Sequence, residues 1–232
     1  MSLGALHEAE REARLEAAPF AVLVAVAFVA LALVSLRADW RLFDGVGWWL
    51  WLVAAAPFAL LALALLAGLG RMVRSRDLRR RLVQVLLGVV VACSLIETAL
   101  LVASLVSSNT LGISGPQLLQ SATTLWLSNV VAFGLAFWEL DCGGPVRRAM
   151  SAERRVPDFQ FPQDENPGLA RPGWTPHLVD YLYLSTTNSI AFSPTDVMPL
   201  TRPAKALMAL ESAVSVVAVL LVAARAINIL HA

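Results

Sequence analysis

Two carboxylates stand in stretches that are otherwise apolar. Glu97 lies about midway along residues 82–106, and Glu211 lies roughly two turns into residues 203–230. A carboxylate in hydrocarbon must be protonated, paired or open to water. Each is therefore a candidate proton site or part of an ion pathway. Hydroxyls and amides accompany them. Ser94, Thr98, Ser104 and Ser108 fall with Glu97 at steps that favour one helix face. Gln117, Gln120, Ser121, Thr124, Ser128 and Asn129 form a second stripe, and Ser212 and Ser215 follow Glu211. Such residues also bond helix to helix inside a bundle. No phosphate-binding glycine loop, His-rich metal motif or nucleophile with a base partner is present. Neither a metal, a cofactor nor an enzymatic reaction is expected. Cys93 reads as a small core residue, and Cys142 as a reduced thiol beside Gly143 and Gly144.

The elements that carry these residues are membrane helices. Of 232 residues, 58% are hydrophobic and 15% charged, and mean hydropathy is +0.68. A soluble domain carries about 45–50% apolar and about 25% charged residues. The net charge of +1 gives no reason to expect a nucleic-acid partner. A span needs about 20 apolar residues. Five stretches qualify: 20–36, 47–70, 82–106, 116–140 and 203–230. Trp48, Trp49 and Trp51 suit the headgroup belt, and Pro57 predicts a kink. The predicted fold is all-α, a membrane bundle of five spans plus a short half-span or interfacial helix at 178–192. Residues 1–19 read as a cytoplasmic surface helix rather than a signal peptide, because the run from His7 to Arg14 is charged. Residues 20–140 form a four-helix region, 141–177 a Pro-rich cytoplasmic segment, and 178–232 the half-span and last helix.

Basic residues orient the bundle. Arg71, Arg74, Arg76, Arg79, Arg80 and Arg81 crowd one loop, against the single acid Asp77. With the N-terminus inside, 15 of the 18 basic residues fall on the inner side. The expectation is an inner-membrane protein, N-terminus cytoplasmic and C-terminus outside, in contact with the lipid bilayer. The arginine loop is a topology signal and a docking surface for anionic lipid or a partner. Residues 158–162, Asp-Phe-Gln-Phe-Pro, read as an extended segment with aromatic anchors.

Residues 181–201, from Tyr181 through Ser185, Thr186, Thr187, Asn188 and Asp196 to Thr201, resemble the pore loop of the potassium-channel superfamily. With Asp196 on that family's post-filter Asp, Tyr183 and Ser185 fall on its pore-helix aromatic and serine. Pro199 and Thr201 fall on its post-filter residues. The resemblance covers about 178–230, with 116–140 as the outer helix. It implies a homo-oligomeric pore for a monovalent cation, lined by Ser185, Thr186, Thr187 and Asn188, with Asp196 and Glu211 attracting the ion. The family's Thr-Val-Gly-Tyr-Gly filter is replaced by Ala191-Phe192-Ser193-Pro194-Thr195, and no glycine follows Gly173. Without filter glycines, ordinary potassium selectivity is not implied. The orientation also inverts the loop, as in glutamate-receptor channels. The same stretch resembles small bacterial multi-pass proteins whose last helix follows a Ser/Thr-rich turn ending in Asp, a likeness of architecture alone. The alternative function is a non-conducting scaffold or partner subunit docking through its arginines. At the local level Thr201 is expected to cap the last helix, with Pro203 in its first turn.

Overall fold

The structure is a computed structural model and describes residues 3–38, 47–66, 76–106, 115–150, 156–193 and 196–230. It is helical almost throughout. The long helices are α1 (Leu3–Arg37), α2 (Trp49–Leu66), α3 (Arg76–Val106) and α4 (Gly115–Leu140). A tight turn at Asp141–Gly143 leads to the short α5 (Pro145–Met150). Strand β1 (Phe159–Gln160), the single turn α6 (Pro162–Glu165), α7 (Leu178–Ala191), β2 (Met198–Pro199) and α8 (Arg202–Leu230) complete the order. Among the described residues, four helical segments are long and apolar enough to cross a membrane: Arg11–Arg37, Trp49–Leu66, Val83–Leu100 and Leu119–Gly143. Their outward faces are apolar. Leu23, Val26 and Leu33 of α1 and Leu60 and Leu63 of α2 are all half exposed or more. A surface of that kind suits lipid and not water.

Two sequence expectations change. The predicted N-terminal surface helix is not separate, since α1 runs unbroken from Leu3 through Pro19 to Arg37. Proline removes one backbone bond and crowds the preceding turn. The Ala, Glu, Arg and Leu residues on either side are strong helix formers and carry the helix across. The arginine cluster is also not wholly a loop. Arg76, Arg79, Arg80 and Arg81 form the opening turns of α3, with Arg81 exposed. Arginine favours helix nearly as well as leucine, so α3 starts before its apolar part. Arg71 and Arg74 lie outside the described residues.

Helices α1 and α2 pack along alanines. Ala17, Ala21 and Ala25 of α1 and Ala54, Ala55 and Ala62 of α2 are buried in the same core. Small residues let helix backbones approach where no water drives association. Phe28 fills the middle, against Trp51 at 6.4 Å and Phe58 at 6.1 Å between ring centres.

Helices α4, α7 and α8 form the second part of the bundle, with α3 alongside. Helix α7 runs antiparallel to α4. Tyr181 meets Asp141, Leu182 meets Gly134, and Ser189 meets Trp126. Gly134 permits this approach, because a Cβ there would stand 2.7 Å from Leu182 Cδ2 and 3.3 Å from Leu182 Cα. The Pro-rich segment closes one end of the bundle. Strand β1 pairs antiparallel with β2, Phe159 opposite Pro199 and Gln160 opposite Met198. The extended reading of residues 158–162 holds for β1. The aromatic residues of the segment point inward: Phe159 and Phe161 are buried and meet Phe137, Tyr181 and Trp174 in tilted and edge-to-face contacts.

Candidate functional site

Glu211 is fully buried between α8, α7 and α4. Its carboxylate is held by side chains of α7. The Ser185 hydroxyl donates to Oε1, and the Asn188 amide donates to Oε2 at 2.6 Å. Ser185 and Asn188 are three residues apart, so both lie on one face of α7. Ser185 also lies 2.9 Å from the Val130 carbonyl of α4. Asn188 Nδ2 donates to the Met208 carbonyl at 3.0 Å, and its Oδ1 accepts from Ser212 at 3.0 Å. The acid and its two donors thus tie α8, α7 and α4 together.

A second polar layer lies one turn along α8. Asn129 of α4 donates from Nδ2 to Ser215 of α8 at 3.4 Å, and its Oδ1 accepts from Ser94 of α3 at 3.3 Å. Ser94, Asn129 and Ser215 are all buried. Glu97 follows Ser94 by three residues. Both its carboxyl oxygens are shielded from solvent and have no hydrogen-bond partner among the described residues.

The third polar cluster seals the end of the bundle where α4 stops. Cys142 (φ 54°), Gly143 (φ 80°) and Gly144 (φ 110°) are all left-handed and turn the chain sharply. Asp141 is completely buried there. It accepts from the backbone N–H of Asp158 at 2.7 Å and of Phe159 at 3.3 Å, and from the Tyr181 hydroxyl at 2.6 Å. Arg148 Nε stands 3.5 Å from Asp141, and its other nitrogen is 2.6 Å from Asp164. Burial works against the Arg148 charge, but Asp141 and Asp164 more than offset it and hold the guanidinium above its usual range. Asp158 accepts from the Cys142 N–H at 3.0 Å and from Thr201 Oγ1 at 2.5 Å. Thr201 Oγ1 in turn accepts from the Ala204 N–H at 3.4 Å, the predicted cap of α8. Glu16 of α1 accepts from the Leu178 N–H at 2.7 Å. The starts of α7 and α8, the end of α4 and Glu16 therefore share one end of the bundle.

The residues singled out from sequence part company here. Ser185, Asn188 and Glu211 come together, and Ser185 and Asn188 face α8 of their own chain. Thr186 and Thr187 are half-buried, with hydroxyls bonded to the Leu182 and Tyr183 carbonyls of their own helix. Asp196 is exposed, two residues before β2. Of the five residues that replace the filter, Pro194 and Thr195 lie outside the described residues, and Phe192 is left-handed at the end of α7. Sequence reasoning did not single out Asp141, Asp158, Tyr181 or Arg148. Nothing local marks them, because apart from the Asp141–Arg148 pair their partners lie between 16 and 43 residues away along the chain. No protein-family model, curated protein or solved structure matches the chain.

Proposed function

We propose that this chain is an ion-conducting membrane protein whose conducting module is α4, α7 and α8. In this reading it has five spans, with the N-terminus in the cytoplasm and the C-terminus outside. It works as a homo-oligomer in the inner membrane and passes a monovalent cation. Helix α7 is a re-entrant half-helix. The observation that carries the reading is the placement of α7. It starts beside Glu16 and Asp141, and β2 brings the chain back to the same end before α8 begins. At 14 residues α7 is about 21 Å long, short of a bilayer core of about 30 Å. Its exit, Ala191 to Ser193, is exposed. Non-helical backbone at that depth is tolerated only against protein or a water-filled path. A neighbouring copy or a pore supplies one or the other.

The lining differs from what the channel resemblance implies. Ser185 and Asn188 are spent on Glu211 within each protomer, where they brace the half-helix. Thr186, Thr187 and Asp196 face the conducting path in this reading. With no glycine after Gly173, the path discriminates weakly among monovalent cations.

Cation flux into liposomes holding the purified protein tests this. Flux above that of empty liposomes, sodium and potassium passing alike, and a fall in Asp196→Asn are the expected results. Liposomes that stay as tight as empty ones under several gradients and voltages would sink the proposal.

A further inference from the structure

Glu211, Ser185 and the Val130 carbonyl form a chain of three oxygens. Ser185 Oγ lies within bonding distance of Glu211 Oε1 and 2.9 Å from the Val130 oxygen. A serine hydroxyl carries one hydrogen, and a carbonyl oxygen can only accept. With Glu211 ionised, that hydrogen goes to Oε1, and Ser185 and Val130 face each other as two bare oxygens. With Glu211 neutral, Oε1–H donates to Ser185, the serine hydrogen turns to Val130, and both contacts are bonds. The other carboxyl oxygen fixes where the proton sits. Asn188 Nδ2 spends its two hydrogens on the Met208 carbonyl and on Glu211 Oε2, and its Oδ1 accepts from Ser212. Reversing that amide would set Oδ1 against two acceptors, so Oε2 accepts and the proton belongs on Oε1. No lysine, arginine or histidine among the described residues pairs with Glu211, which is fully buried. A buried charge without a counter-ion is costly.

We infer that Glu211 is a proton-binding latch: a proton on Oε1 seats α7 against α4 and α8, and its loss releases the half-helix. The inference rests on the packing of α7 alone and does not require the cation pore. When α7 lifts, water reaches the carboxyl. The Oε1–H bond breaks, its electron pair stays on the carboxylate, and the proton leaves to water. The seated form holds one proton more than the released form. Acid therefore favours seating and alkali favours release, by up to about tenfold per pH unit. No base on the packed elements stands in for water. Helix α7 presents Ser185 and Asn188 to Glu211, while its Asp180 bonds the His177 N–H and its Tyr181 bonds Asp141, both at the start of the helix. Helix α4 has a single charged residue, Glu139, near the Asp141 end. Helix α3, alongside α8, carries Cys93 and Glu97 beyond its opening arginines and Asp77. On α8, Arg202 and Lys205 are exposed at the start, and Arg225 stands on a later turn.

Infrared difference spectra of the full chain in liposomes, wild type minus Glu211→Gln, test the latch. At neutral pH the wild type should show the carbonyl stretch of a neutral carboxylic acid that Glu211→Gln lacks, and Ser185→Ala should shift that band. A difference spectrum without it would overturn the inference. The pair Trp126→Cys with Ser189→Cys reports the seating by cross-linking. Its yield, relative to the same pair in Glu211→Gln, should fall as the pH rises above neutral, by up to about tenfold per unit. Glutamine keeps a donor for Ser185 and an acceptor for Asn188, so Glu211→Gln should stay seated throughout. Identical pH profiles in the two proteins, or a folded Glu211→Gln that no longer cross-links at neutral pH, would sink the latch. A third measurement needs no change at Glu211. With Glu211 intact, the glutamate part of the neutral-acid band, picked out by isotope labelling, should fade in step with the cross-linking. A band that holds constant while cross-linking falls would count against it.

Discussion

At the scale of single residues, two buried acids do opposite kinds of work. Asp141 has four donors around it: two backbone N–H groups, the Tyr181 hydroxyl and Arg148. Removing it strands all of them in a closed end of the bundle. Asp141→Ala should destabilise the protein by about 3–5 kcal/mol, the usual cost of breaking a buried charge pair from one side. Thermal unfolding in detergent measures it. Tyr181→Phe removes one donor and keeps the ring packed on Phe159 and Phe161. The loss should be smaller, about 1–3 kcal/mol. If Tyr181→Phe proved as damaging as Asp141→Ala, the hydroxyl and not the acid would be the centre of the knot. Among the described residues Glu211 is satisfied by only two side chains, both on α7. A Ser185→Ala and Asn188→Leu double variant should free α7 from α8 and raise proteolysis at residues 191–197, with the rest of the bundle intact. Glu97 and Glu211 were legible in the sequence as polar residues in apolar runs. Which of them had partners was not.

At the scale of elements, the deciding features are close approaches and ends. Gly134 lets α7 lie against α4 with Leu182 almost on its backbone. Gly134→Val should push the half-helix away and cost at least about 1–3 kcal/mol, as overpacking does. Cross-linking of a cysteine pair placed at 126 and 189 should then fail. If cross-linking survives Gly134→Val unchanged, the close approach is not what seats α7. Thr201 caps α8 and bonds Asp158 as well. Thr201→Ala should cost about 0.5–2 kcal/mol for the cap, and more if Asp158 loses its hold. The boundaries of α4, α7 and α8 match the periodicity and the punctuation by Pro116, Gly143 and Pro203 closely. The starts of α1 and α3 do not. Charged residues such as Arg11 and Arg80 propagate a helix well, and hydropathy locates the apolar part of a helix without locating its ends.

At the scale of the whole molecule, the starts of α7 and α8, the end of α4 and Glu16 of α1 cluster at one end. The proposed topology puts that end in the cytoplasm. Cysteines introduced at Lys205 and Asp164 should label only from the cytoplasmic side of intact cells, and one at position 44 only from outside. Labelling of position 205 from outside would reverse the bundle.

Composition alone settled that this chain is made of apolar helices, since so few charges over such long runs leave the backbone nowhere else to satisfy itself in lipid. Spacing settled that serines, amides and two acids share helix faces. The partners needed three dimensions. That Ser185 and Asn188 turn to Glu211, and that Asp141 gathers the Pro-rich segment, α5 and α7 into one knot, depends on groups far apart in sequence. Hydrogen bonds are directional and short-ranged, so a pattern in one helix names a polar face but not the group that meets it. Only the packing of α4 against α7 and α8 chose those partners, and it left Glu97 without one among the described residues.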